Sequence, residues 1–163
     1  MEKLWAPWRA VYITKGEEEK AECIFCAKLS DSRDAENYVL VRRKLSFVLL
    51  NLYPYNNGHL LVAPNRHVAD ITELTPEESL GLFQLTQEMA GLLRRVMRPD
   101  GFNIGINLGR IAGAGYPSHF HIHVVPRWDG DTSFMPVVGN VKVISEGLAQ
   151  TYSKLRKGLE AGS

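Results

Sequence analysis

The sequence predicts an α+β domain: a five-stranded antiparallel sheet carrying one long helix and a C-terminal helix. Five short β-rich runs are bounded by turn residues, and one central stretch repeats apolar residues at helical spacing behind a strong start signal. No repeat or low-complexity linker divides the 163 residues, so residues 1–163 read as one domain with the long helix inserted between the third and fourth strands.

In chain order, residues 1–20 form an aromatic N-terminal arm (Leu-Trp-Ala-Pro-Trp-Arg within it) followed by a charged, mobile loop. Such an arm is expected to dock on a surface rather than fray, with Trp5, Trp8 and Trp128 as core or dimer-contact residues. After Glu22-Cys-Ile-Phe-Cys26, the polar stretch 30–37 reads as a connection. Residues 38–42 and 47–52 are β-rich and joined as a hairpin through 43–46. The turn-rich loop 53–58 then leads to a third strand, 59–63, closed by Pro64. Thr75, Pro76 and Glu78 form a cap, a first-turn proline and a capping box. Behind them Leu80, Leu82, Phe83, Leu85, Met89, Leu92, Leu93 and Val96 recur as a stripe expected to cover the sheet, up to Pro99. Residues 102–108 are a fourth strand and 109–116 a Gly-rich loop, followed by a histidine-bearing fifth strand. Ser145 is the expected cap of a final helix through Leu155.

Composition narrows the function. Hydrophobic residues make up 45% and charged residues 23%, with a net charge of +1. So balanced a surface argues against a general nucleic-acid or membrane-surface binder, while local donors can still bind small anions. No apolar run approaches the roughly 18 residues of a membrane span and the first residues lack the apolar core of a signal peptide, so a cytoplasmic protein is expected. Cys23 and Cys26 are the two cysteines. In a reducing compartment such a CxxC reads as half a metal site, a redox pair or two small buried hydrophobes, rather than a structural disulfide.

The densest chemistry lies in Ser118-His-Phe-His-Ile-His-Val-Val-Pro-Arg127, where three of five histidines occupy alternate positions. In a strand His119, His121 and His123 share one face and Phe120, Ile122 and Val124 the other. The outer two are roughly 13 Å apart at Cα, too far to converge easily on one ion, so separate roles along a polyphosphate fit better. Imidazole titrates near neutrality and can be phosphorylated, which makes the row a candidate for nucleophilic chemistry.

The HxHxH row resembles the histidine triad (HIT) family of nucleotide hydrolases and transferases. The likeness extends through the amino-terminal LWAPWR, the CIFC, the strand beginning at Gly58-His59, the GAG loop and the PRWDGDTSF after the triad. Together these cover nearly the whole chain and look most like the bacterial branch related to diadenosine tetraphosphate phosphorylases. The resemblance implies a HIT-like fold and cleavage at the α-phosphate of adenosine polyphosphates, by hydrolysis or phosphorolysis, through a nucleotidyl-histidine. It implies His121 as nucleophile, His123 as donor to phosphate or leaving group, and His59 standing behind them. Asn51 matches the ribose position, and Asn107, Gly113, Gly115 and Ser118 match the phosphate-approaching segment, with His121 and His123 also touching nucleotide. Several relatives hold a structural zinc with a like set, here Cys23, Cys26, His67 and His119; no catalytic metal is required. Adenine nucleotides or dinucleoside polyphosphates are the implied ligands, and a homodimer, or a tetramer in the phosphorylase-like branch, the implied assembly. The loop departs from the common pattern: a glutamine found there in many members is absent, leaving Ser118 or backbone donors in its place. Competing readings are a low-turnover nucleotide-binding sensor or adaptor, a nucleoside phosphoramidase, and a zinc-stabilised scaffold without a nucleotide site.

Overall fold

In the computed structural model, residues 23–132 and 143–162 are described. The aromatic arm and charged loop of residues 1–20 lie outside them, as do Ser133 and Phe134. Helices α1 (Ile24–Ser30) and α2 (Asp34–Asn37) occupy the stretch expected to be a connection. They are too short for periodicity to reveal, and Arg42 pins them by donating to the carbonyls of Lys28, Leu29 and Asp31 and to Asp34 Oδ1.

Strands β1 (Val39–Arg42), β2 (Ser46–Leu50), β3 (Leu60–Pro64), β4 (Gly101–Ile106) and β5 (Ile122–Arg127) form one antiparallel sheet in the order β1-β2-β3-β5-β4. A 3₁₀ turn (Ile71–Glu73) leads into α3 (Pro76–Met97), inserted between β3 and β4 as the sequence predicts. Both halves of the capping box form: Glu78 N–H donates to Thr75 Oγ1 at 3.2 Å, and Thr75 N–H to Glu78 Oε2 at 2.9 Å. Glu78 is also clasped by Arg66 through two bonds of 3.0 and 2.8 Å, tying the exit of β3 to the start of the helix.

The apolar stripe of α3 is narrower than expected. Leu82, Leu85, Met89, Leu92 and Leu93 are buried, but Leu80 and Phe83 are 59% and 63% exposed. At about 100° per residue these two project away from the line joining the others. Helix α4 (Leu148–Glu160) starts after Gly147, not at Ser145, and runs past Leu155. Ser145 instead accepts a bond from Asn57 Nδ2 at 2.6 Å.

Two cores flank the sheet. Leu40, Val48, Leu50, Leu60 and Val62 face α3 and α4 together with Phe120, Ile122 and Val124. On the other face, Val39, Phe47, Leu49, Leu61 and Ala63 pack around Phe25 of α1. The histidine row therefore falls on the α1 face, as the alternation predicts. Only His123 lies inside a strand, however; the ladder begins at Ile122. Opposite the earlier histidines β3 runs out in Pro64, which has no N–H to offer. The chain leaves the ladder there, with Phe120 N–H donating to the Val68 carbonyl at 2.7 Å.

Candidate functional site

His59 enters β3 fully buried, at 0% exposure. Its Nδ1 faces two donors, the Tyr55 N–H at 3.1 Å and the Asn51 amide at 3.3 Å. A backbone N–H can only donate, so Nδ1 accepts and the neutral ring carries its hydrogen on Nε2. That hydrogen points at His123 Nδ1, 3.0 Å away, making His123 an acceptor there and a donor at its own Nε2. Burial first, then the neighbouring His123 and His121, holds the His59 pKa down at about 3, so the relay starts from a neutral ring.

His121 has the opposite tautomer. Its Nδ1 lies 2.8 Å from the His119 carbonyl, which can only accept, so Nδ1 carries the hydrogen and Nε2 keeps its lone pair. The His121 and His123 rings meet edge to face, with centroids 4.8 Å apart. One ring thus offers a lone pair and its neighbour an N–H on the same side of the sheet.

That side opens into a cavity of about 190 Å³, lined by both rings and by Asn51, Gly113, Gly115 and Arg110 among others. Ile24, Phe25, Leu61, Tyr53, Tyr55 and Tyr116 supply a largely apolar wall. Of the expected nucleotide-binding positions, Asn51, Gly113 and Gly115 line the cavity. Asn107 stands behind it, its amide donating to the Gly113 carbonyl at 3.4 Å. Ser118 is exposed and sits instead beside the Tyr116 hydroxyl, which also meets Cys23 and the Ile24 N–H. Arg110 and the tyrosines of the wall were not singled out from sequence. Arg110 lay within the quoted Gly-rich loop, and Tyr53 and Tyr55 within a segment read only for its turns.

His119 belongs to a second cluster. Its Nε2–H donates to the Pro64 carbonyl at 2.9 Å, turning Nδ1 toward Cys23 Sγ at 3.3 Å and Cys26 Sγ at 3.8 Å. Cys26 Sγ lies 3.4 Å from His67 Nδ1, and the four donor atoms all fall within 4.8 Å of one another. A tetrahedral zinc 2.0–2.3 Å from each donor would hold them about 3.3–3.8 Å apart, so the set fits such an ion with slight contraction. The carbonyl behind His119 is the kind of outer partner that fixes a metal-binding tautomer. Phe25, placed by α1 between the two cysteines, stacks on both His119 (centroids 4.9 Å) and His121 (5.1 Å). The cysteine–histidine cluster and the cavity therefore share a wall.

The chain is similar to known proteins of one family. Residues 32–130 match the HIT domain model. An AP-4-A phosphorylase of Mycobacterium tuberculosis is 39% identical over 157 residues, 93% of this chain and 80% of that protein. An asymmetrical bis(5'-nucleosyl)-tetraphosphatase of Schizosaccharomyces pombe is 37% identical over 115 residues, 70% of this chain and 63% of the relative. Among solved structures, a Zn-bound histidine triad protein from Mycobacterium smegmatis superposes with a TM-score of 0.70 at 30% identity, covering 87% of this chain and 98% of that one. The fold is thus shared with a solved histidine triad structure, and the chain belongs to the HIT domain family.

Proposed function

We propose that the protein is a nucleotidyl-transferring enzyme that cleaves adenosine polyphosphates, dinucleoside polyphosphates among them, at the α-phosphorus. The observation that carries this is the pair of opposed tautomers on the cavity wall: a lone pair at His121 Nε2 beside an N–H at His123 Nε2. His121 Nε2 attacks phosphorus as the bond to the leaving oxygen breaks, and the electron pair departs with the leaving polyphosphate. His123 donates to the oxygens that gain charge, while His59 and the His119 carbonyl hold the two rings in their required forms. Water or phosphate then displaces His121 from the adduct. Asn51 bonds the ribose, and the turn through Gly113 and Gly115 brings backbone N–H groups toward phosphate oxygens, with Asn107 bracing its base. The relatives named as a phosphorylase and a tetraphosphatase support this class of reaction.

Cys23, Cys26, His67 and His119 would hold a structural zinc, which supplies no chemistry to the reacting phosphorus and clamps α1 against the sheet. The chain works as a homodimer joined through β4. Along β1, α4 covers the edge through Tyr152 Oη to the Val39 carbonyl and Arg156 to the Leu40 carbonyl; among the described residues β4 pairs with β5 alone and exposes Ile104 and Ile106. Incubation with diadenosine tetraphosphate, with and without inorganic phosphate, tests the function. Adenosine triphosphate is expected from wild type, with monophosphate alone in the absence of phosphate and diphosphate also formed in its presence, and none of these from His121→Ala. Binding of nucleotide without turnover would favour a sensor instead.

A further inference from the structure

Among the described residues lining the cavity wall, Arg110 is the one with a permanent charge, and none is a carboxylate. A polyphosphate brings several negative charges into this space. The turn that presents Arg110 is pinned at its base. Gly113 N–H donates to the Arg110 carbonyl at 3.0 Å and Ala114 N–H to the Gly109 carbonyl at 3.3 Å, while Asn107 holds the Gly113 carbonyl. Gly109 and Gly113 take positive φ of 76° and 90°, a backbone that side chains rarely adopt, so the turn depends on both glycines. The backbone at Arg110 is thereby fixed beside the cavity while its long stem lets the guanidinium follow a phosphate.

We propose that Arg110 binds the phosphate group that leaves the α-phosphorus and, in the second step, the inorganic phosphate that replaces it, making it the residue that favours phosphate over water as acceptor. This rests on the nucleotidyl-histidine reading. In the first step the His121 Nε2–P bond forms as the P–O bond to the β-phosphate breaks, and adenosine triphosphate departs with the electron pair. In the second, an oxygen of inorganic phosphate bonds to phosphorus as the P–N bond breaks and its electrons return to Nε2, giving adenosine diphosphate; with water the product is adenosine monophosphate. An in-line displacement places both leaving and entering groups opposite Nε2, so one cation serves both steps. The planar guanidinium can engage two phosphate oxygens at once, whereas water presents no charge for it to hold.

The test is the ratio of adenosine diphosphate to monophosphate formed from diadenosine tetraphosphate across a series of phosphate concentrations. This ratio reports only how the adduct partitions, whatever the speed of the first step. Wild type should give a ratio that rises with phosphate, and Arg110→Gln should lower that slope roughly ten- to hundredfold, the loss expected for a charge-assisted pair. Arg110→Lys, keeping the charge but not the fork, should fall between. An unchanged slope in Arg110→Gln overturns the proposal, as does a wild type that cleaves the substrate but makes only monophosphate at every phosphate concentration. Failure of wild type to cleave at all removes the nucleotidyl-transfer reading itself, and this proposal with it.

Discussion

His59 shows how much of the site's chemistry is set by single side-chain environments. Its pKa near 3 lies below the ordinary value of 6.5, so the unfolded chain takes up a proton first as pH falls. The stability that neutral His59 contributes is complete above pH 6.5 and is lost as pH drops toward 3. It declines by about 1.4 kcal/mol per pH unit below 6.5, or roughly 2 kcal/mol by pH 5. Urea unfolding of wild type and His59→Gln at pH 7 and pH 5 checks this: the variant, though less stable throughout, should lose less between the two. Equal losses would mean that His59 is not the buried neutral group described. The spacing of the three histidines was legible because a strand alternates sides whatever else it does. The tautomers were not, since His59 reaches His123 across 64 residues and His121 is fixed by a backbone carbonyl that no side-chain pattern encodes. The resemblance set His59 behind the triad without saying which ring it serves; the His119 carbonyl holds His121, and His59 serves His123.

Among the elements, α3 is the one the sequence specified best, because a threonine cap, a proline and a glutamate three residues on all act locally. Glu78 does more than close the box. It is buried, and Arg66 lowers its pKa first by direct hydrogen bonding, with the Thr75 N–H next. Glu78→Ala keeps the Thr75 cap but removes the acceptor for the Thr75 N–H and leaves Arg66 without its carboxylate, which should cost about 2 kcal/mol in denaturant unfolding. A change under 0.5 kcal/mol would mean that the clasp adds little. Helix α1 escaped prediction because seven residues show no periodicity, yet its Ile24, Phe25 and Cys26 join the cavity to the metal-fitting cluster. If zinc clamps it, purified protein should contain about one zinc per chain, and Cys23→Ser should lower the melting temperature more than the activity of what remains folded. Elemental analysis finding no metal in protein never exposed to chelator would remove the clamp from the account.

In the whole molecule, the exposed β4 edge is where a second copy would add its sheet. Ile104 and Ile106 are 49% and 39% exposed there. Ile104→Lys should convert a dimer to a monomer by analytical ultracentrifugation, and a wild type that sediments as a monomer would contradict that assembly. Strand order was not legible, since the sequence shows neither that β5 inserts between β3 and β4 nor that α4 closes the β1 edge. That insertion sets His123 beside His59, on the sheet face that α1 covers and that opens to the cavity, and so makes attack by His121 the center of the account. The most direct measurement of that attack is intact-protein mass spectrometry of a rapidly quenched, non-acidic reaction with diadenosine tetraphosphate, followed by mapping of the modified peptide. Wild type should carry an acid-labile adenylyl group on His121, and His121→Ala should show no adduct, a turnover lower by several orders of magnitude and retained nucleotide binding. Near-normal turnover by His121→Ala would contradict that attack, and so would an adduct mapped to His119 or His123.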